Sequence, residues 1–225
     1  PTGKIYSTDE YRALAEILLE HPKVMIVCDD IYEHIYWGEG PFRTLLNACP
    51  ELMQRTVIVN GVSKSHAMTG WRIGYAAGPN ELIAAMRKVQ GQTTSGACSI
   101  SQAAAAAALE GSQGCVERMR VEYKQRYEYL LNALNRIEGV ECEESDGSFY
   151  VFPSFQAVID RMEDIRDDVD LAAWMIDEAE VAMVPGSAFG APGHLRLSYA
   201  TSMENLRTCI TRIETALQKH ASDHP

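Results

Sequence analysis

The sequence predicts an α/β fold, in which a mostly parallel, helix-covered sheet is followed by a smaller α+β domain. Three apolar runs, at 24–28, 56–60 and 73–77, have the composition of strands, and the first two are rich in β-branched residues. Strands buried on both faces of a parallel sheet have this composition. Helical patterns precede and follow these runs, and such alternation is typical of a parallel sheet covered by helices.

The helices of the first part have recognisable starts and stops. Ser7 and Glu10 have the spacing of a capping box, and apolar residues at helical spacing then continue as far as His21. A helix is predicted from about residue 80 to about Gln90, after the turn residues that end the third strand. The alanine-rich run 99–110 predicts a buried, closely packed helix.

The second part begins on a long helix predicted from about residue 115 to about 137. We therefore expect two domains, covering residues 1–115 and 116–225. Short strands are expected near 139–143, 149–153, 181–184 and 194–198. A final helix is expected from Ser202, as its N-cap, to about His220.

Composition limits the classes of function. The 225 residues are 46% hydrophobic and 23% charged, which is typical of a globular protein. A net charge of -11 argues against a broad surface for nucleic acid or for an anionic membrane. The six cysteines form no CxxC pair and no zinc-like Cys/His cluster, so we expect no metal site and a cytoplasmic setting. No apolar run is long enough to span a bilayer.

Chemically active side chains follow the predicted strands. Asp29 and Tyr32 come after the first strand, Lys64 follows the second, and Arg72 lies between glycines before the third. A lysine, an acid, a tyrosine and an arginine are the groups needed to hold pyridoxal 5'-phosphate. A Walker-type phosphate loop is excluded, because Ser63 stands directly before Lys64 where that motif requires glycine.

Several motifs appear in an order that resembles a known family. Besides the run 59–75, these are Pro-Thr-Gly-Lys at 1–4, Gly-Ser-Phe-Tyr at 147–150, Val-Pro-Gly-Ser-Ala-Phe-Gly at 184–190 and Leu-Arg-Leu-Ser-Tyr-Ala at 195–200. Together they resemble class I aminotransferases of the aspartate aminotransferase family, which are fold-type I pyridoxal-phosphate enzymes. The resemblance covers essentially the whole chain. It implies the carboxy-terminal portion of a protein nearly twice as long, including only part of the large domain.

The resemblance assigns cofactor contacts to five residues. Lys64 would form a Schiff base with the cofactor and then move a proton between the substrate and the cofactor. Asp29 would pair with the ring nitrogen, and Tyr32 would donate to the ring oxygen. Arg72 would bind the phosphate, and Ser63 is a plausible second phosphate ligand.

The resemblance assigns substrate contacts to two residues of the second part. Arg196 would bind the α-carboxylate of the substrate in a two-point contact. Phe189 would pack near the substrate, although a role in the core fits it nearly as well. Tyr150 is expected to be structural.

Two positions near the predicted cofactor site are less clear-cut: one has a competing neighbour, and the other departs from the commonest family pattern. Asp30 competes with Asp29 as the partner of the ring nitrogen, and the family pattern through Ile31 and Tyr32 selects Asp29. Gly61 occupies a position where many family members have a serine that contributes a hydroxyl to the phosphate site. The phosphate site is therefore expected to lack that hydroxyl.

The activity implied by the resemblance is amino-group transfer from an α-amino acid to a 2-oxo acid, by ping-pong chemistry. The amino acid could be aspartate-like or aromatic, and a homodimer is expected. Alternatives on the same scaffold are a β-lyase or a cyclopropane-forming synthase. A non-catalytic regulatory module is the alternative from another class. The 225 residues alone are expected to be inactive.

Overall fold

The computed structural model describes residues 1–223, which divide into two compact units. One unit comprises Ile5–Arg120, and the other joins residues 1–4 to the chain from Val121 onward. A domain boundary after residue 115 stays a proposal, and the helix predicted around it, α6, covers Gly114–Leu134.

The first unit begins with a helix that packs on a small apolar core. Helix α1 (Thr8–Glu20) has the predicted capping box, since Ser7 accepts from the Glu10 backbone N–H and the Glu10 side chain accepts from the Ser7 N–H. It packs on the short helix α2 (Leu45–Ala48). The core between them is formed by five buried side chains: Ala15, Ile26, Leu45, Cys49 and Leu52.

The sheet of the first unit has three strands, in the order β1 (Ile26–Asp29), β2 (Thr56–Asn60) and β3 (Tyr75–Ala77). Strands β1 and β2 are parallel, as predicted, whereas β3 runs antiparallel to β2. The sequence pattern carries no information on that direction. Strand β3 also starts two residues later than expected, and Arg72, just before the expected start, adopts a left-handed conformation (φ 49°).

Helices follow the sheet, and one of them differs from expectation. They are α4 (Asn80–Thr93), α5 (Ser99–Glu110) and the start of α6, whose residues from Val121 onward belong to the second unit. Helix α5 was expected to be buried, but only Ser101 and Ala105 are, and Ile100 is 69% exposed. The short side chains of α5 permit close packing, but within this unit no element covers most of the helix.

The second unit packs helices on an antiparallel sheet. The strands, in the order β4-β6-β5, are β4 (Tyr150–Val151), β5 (Val184–Pro185) and β6 (Leu195–Ser198). The helices are α7 (Gln156–Ile159), α8 (Asp168–Ala179) and α9 (Met203–Asp223). The core contains several side chains with almost no exposure, among them Tyr199, Phe155, Leu130, Leu171 and Met175. Ser202 accepts a hydrogen bond from the Asn205 N–H, so the predicted N-cap of the last helix is confirmed.

The strand predicted at 139–143 is wrong. The only pairing there is an isolated bridge between Glu141 and Ser154. The Asn135 side chain binds the Cys142 backbone instead, accepting from its N–H (2.8 Å) and donating to its carbonyl (2.9 Å). A side chain therefore satisfies the backbone groups that a strand partner would have satisfied.

Candidate active site

The parallel strands β1 and β2 end at one edge of the first sheet. Asp29 is the last residue of β1 and lies in register with Val59 of β2. The chain leaves β2 at Asn60 and enters the four-residue helix α3 (Val62–Ser65) two residues later. Because parallel strands place their carboxyl ends together, Asp29 and the start of α3 lie at the same edge.

Lys64 lies on α3, close to Tyr32. Its ammonium nitrogen is 5.8 Å from the centroid of the Tyr32 ring, within the range of a cation–π contact. Val62 and Ser65 are buried and fix the inner side of the helix. The structure therefore brings together two of the residues that the sequence assigned to the cofactor.

The adjacent acids Asp29 and Asp30 have different surroundings. Asp29 is exposed, and its Oδ1 accepts from the Ile31 N–H at 3.3 Å. Asp30 is buried, and burial, followed by the charges of Glu33 and Asp29, raises its pKa. Its Oδ2 has no hydrogen-bond partner among residues 1–223. Of the two, only Asp29 has a carboxylate that a ligand can reach.

The segment after Lys64 returns to the same edge through Arg72. The Arg72 side chain is exposed, and its Nη1 donates to the Thr69 carbonyl at 3.0 Å. Ser63 is half-buried, one residue before Lys64. A guanidinium and a hydroxyl are suitable donors for a phosphate.

A close backbone contact explains the glycine at position 61. A Cβ added there would lie 3.1 Å from the Gly74 Cα and 3.2 Å from the Ile73 carbonyl oxygen. These distances are tighter than ordinary van der Waals contact, so a serine would push the two segments apart. Gly61 thus packs the start of α3 directly against the segment that follows Arg72.

Arg196 of the second unit lies close to two aromatic rings. Its guanidinium carbon is 4.4 Å from the centroid of Tyr150 and 4.6 Å from that of Phe189. Among the described residues of this unit, no carboxylate forms an ion pair with it. Both rings are within cation–π distance of the guanidinium. The N–H groups in the guanidinium plane are the ones suited to a carboxylate.

Tyr150 is a residue whose contact the sequence analysis missed. Its ring packs on the Arg196 guanidinium, a contact that is compatible with the structural role predicted for it. Alternation along β4 offered a signal, since Val151 is buried and Tyr150 lies on the other side of the strand. Phe189 contacts Arg196 and also Phe152, and it is exposed rather than part of the core.

The Pro-Thr-Gly-Lys motif docks within the same unit. The Gly3 carbonyl accepts from the backbone N–H groups of Asp146 (2.9 Å) and Gly147 (3.0 Å). Gly3 has a φ of 70°, and a Cβ there would lie 2.7 Å from the Gly147 carbonyl oxygen, so only glycine fits.

The part of the chain that the structure describes contains neither a metal-binding cluster nor a membrane-spanning helix. No cluster of three or more His, Cys, Asp or Glu side chains is placed to hold a metal ion. None of the described helices combines the length and the apolar composition that crossing a membrane requires.

Comparison with known proteins gives a consistent result. The model of the family described as aminotransferase class I and II matches residues 1–213. The aspartate/prephenate aminotransferase of Nitrosomonas europaea is 46% identical over 222 residues, which are 96% of this chain and 56% of that protein.

Solved structures give the same picture. The Rhizobium meliloti aspartate aminotransferase superposes with a TM-score of 0.92 at 44% identity, covering 97% of this chain and 56% of the other. An aromatic aminotransferase from Pyrococcus horikoshii superposes with a TM-score of 0.88 at 33% identity, covering 98% and 58%. The chain thus spans about half the length of the relatives it matches. It belongs to the class I and II aminotransferase family and has part of that family's fold-type I architecture.

Proposed function

We propose that the full-length protein is a pyridoxal-phosphate-dependent aminotransferase that moves an amino group from an α-amino acid to a 2-oxo acid. The observation that carries the proposal is the position of Lys64, beside Tyr32 and just beyond the carboxyl end of a parallel strand pair. Relatives that match this chain along nearly its whole length are named aminotransferases.

The residues present fit this cofactor. Pyridoxal phosphate carries an aldehyde, a basic ring nitrogen and a phosphate, and each of these needs a different partner. Lys64 provides an amine for the aldehyde, Asp29 a reachable carboxylate for the nitrogen, and Arg72 an exposed guanidinium for the phosphate. Ser63 provides a second donor for the phosphate, and Tyr32 a phenol for the ring oxygen.

Each residue has a separate chemical role. When bound, the cofactor supplies an electron-withdrawing ring that makes a proton on the α-carbon of the substrate removable. The Lys64 amine accepts that proton and returns it, and its place on the anchored helix α3 limits where the amine can reach. Asp29 holds a proton at the ring nitrogen, which maintains the electron demand of the ring.

Arg196 binds the α-carboxylate of the substrate. The Tyr150 and Phe189 rings packed against it limit the positions that the guanidinium can adopt, and its planar edge can donate two parallel hydrogen bonds. That restriction orients the substrate before the chemical step.

We propose an aspartate-like amino acid as the first substrate to test, with aromatic amino acids next. Two relatives support these choices by name, since one is an aspartate/prephenate aminotransferase and another an aromatic aminotransferase. Residues 1–225 taken alone are proposed to be inactive.

We also propose a cytoplasmic homodimer. All six cysteines are free thiols, which suits a reducing compartment. Large apolar side chains exposed on the first unit, such as Val89 and Ile100, are suited to burial against other protein. Light scattering of the full-length protein would test the dimer, and a monomer at micromolar concentration would contradict it.

The decisive experiment is the visible absorption spectrum of the full-length protein with pyridoxal phosphate, before and after aspartate is added. We expect a protein-dependent band that shifts with aspartate in the wild type and is absent in Lys64→Ala. Lys88→Ala, which changes an exposed lysine on α4, is the matched control and should behave as the wild type. A wild type without a Lys64-dependent band would refute the proposed function. A band that ignores aspartate would redirect the substrate search.

A further inference from the structure

One buried acid of the second unit lies outside the residues assigned above. Asp168 is the first residue of α8, and it is 1% exposed. Its two carboxylate oxygens accept from two different backbone groups of one loop. Oδ2 accepts from the Ser187 N–H at 2.8 Å, and Oδ1 accepts from the Gly193 N–H at 3.4 Å.

The loop in question, residues 186–194, connects β5 to β6 and closes on itself. The Gly186 N–H donates to the His194 carbonyl at 2.7 Å, and the Ala191 N–H donates to the Gly186 carbonyl at 3.0 Å. Ser187 and Gly193 lie near its two ends. One carboxylate therefore links the outgoing and the returning side of the loop.

The same loop carries a wall of the Arg196 site. Phe189 is near its middle, with its ring 4.6 Å from the Arg196 guanidinium and edge-on to Phe152 at 5.9 Å. Arg196 itself follows Gly193 by three residues, on β6. A shift of the loop would move Phe189 relative to Arg196 and could displace the start of β6.

Asp168 is suited to hold the loop as an anion. Burial opposes its charged form, but hydrogen bonds from Ser187 and Gly193 outweigh burial, and the pKa lies below its ordinary value. The N-terminus of the twelve-residue helix α8 also favours a negative charge at this position. Among residues 1–223, no cationic side chain forms an ion pair with Asp168.

We propose that Asp168 is a positioning residue for the substrate carboxylate. It holds the loop 186–194 so that Phe189 stays against Arg196 and the guanidinium keeps its orientation. The inference rests on the proposed function, in which Arg196 binds the α-carboxylate of an amino acid.

The neighbouring residue provides an internal control. Asp167 is the N-cap of the same helix, and its Oδ1 accepts from the N–H groups of Val169 and Asp170, both at 2.9 Å. These hydrogen bonds serve the helix and not the loop. Changing Asp167 tests the cost of a weakened α8, whereas changing Asp168 tests the loop as well.

The experiment compares Asp168→Asn with Asp167→Ala, which removes the N-cap, in the full-length protein. An asparagine at 168 keeps one acceptor but turns its amide NH₂ toward the second N–H, so one side of the loop loses its partner. We expect KM for the amino acid to rise about tenfold, with kcat changed less than about twofold, as after loss of one charge-assisted hydrogen bond. Asp167→Ala should lower the melting temperature, because alanine cannot cap the helix, and it should leave KM unchanged.

Amide hydrogen exchange provides a readout that does not depend on catalysis. Exchange in the peptide 186–194 should accelerate in Asp168→Asn, whereas in Asp167→Ala it should accelerate at 169–170. Equal KM effects in the two variants, or unchanged KM and unchanged loop exchange in Asp168→Asn, would overturn the inference. A wild type that does not transaminate would refute the proposed function, and the exchange comparison would still decide whether Asp168 holds the loop.

Discussion

The two units differ in how completely they bury their own apolar side chains. The second unit encloses Phe155 and Tyr199 almost entirely. The first unit leaves Val27 of its edge strand β1 68% exposed, and Met25 beside that strand 51% exposed. The residues proposed to hold the cofactor therefore stand on an uncovered sheet, whereas Arg196 stands on a closed core. The proposed cofactor residues and the more completely buried core thus lie in different units.

The largest effect expected is on chemistry, in the first unit. Lys64→Ala in the full-length protein should lower the turnover rate by roughly 10³-fold or more, because the proton acceptor is lost. Its melting temperature should change little, since Lys64 is not a core residue. Steady-state kinetics and thermal unfolding would check this, and a large loss of stability would show that Lys64 has a structural role.

The next effect is on stability, in the second unit. Phe155→Ala should reduce the free energy of unfolding by about 3–5 kcal/mol, because it empties a fully buried site. Val27→Ala in the first unit should change it by less than about 0.5 kcal/mol. Urea unfolding of the 225-residue chain measures both. Similar costs would mean that β1 is covered in solution, and the contrast between the units would then disappear.

A smaller effect is expected at the substrate carboxylate. Arg196→Lys keeps the charge but loses the planar two-point contact and the stacking on Tyr150 and Phe189. KM for the amino acid should rise about ten- to a hundredfold in the full-length enzyme. Arg207→Lys, on the exposed side of α9, is the control and should leave KM unchanged.

The smallest effect is a difference in reactivity between two thiols, one in each unit. Cys98 in the first unit is exposed, and backbone N–H groups of Ser101 and Ile100 lower its pKa. In the second unit, burial raises the pKa of Cys142 to about 11. At neutral pH, Cys98 should react with an alkylating reagent at least about tenfold faster than Cys142. Mass spectrometry of the labelled peptides would check this, and equal rates would show that the second unit opens readily.

The elements that could be predicted from the sequence are those that depend on neighbouring residues. The capping box of Ser7 and Glu10 and the strand β2 depend on residues within a few positions of each other, so both were predicted. The prediction of a strand at 139–143 was wrong because the side chain of Asn135 takes the backbone hydrogen bonds of Cys142. No local pattern reveals that competition.

In the candidate site, too, local motifs could be recognised from the sequence, whereas contacts between distant segments could not. Motif order was sufficient to propose Lys64 and Arg196. The stacking of Tyr150 on Arg196 and the approach of Gly61 to Gly74 depend on contacts between separate segments. Asp168 was missed because an acid at the start of a helix ordinarily indicates a cap.

The loop 186–194 is not a transferable module. The N–H groups of Ser187 and Gly193 depend on the carboxylate of Asp168, which lies outside the loop, at the start of α8. Gly193, with a φ of 77°, leaves room for the Gln156 side chain, which any larger residue would meet. An engineer who exchanged only this loop between relatives, to alter substrate choice, would leave its anchor behind. Useful chimeras will have to carry the loop and the first turn of α8 together.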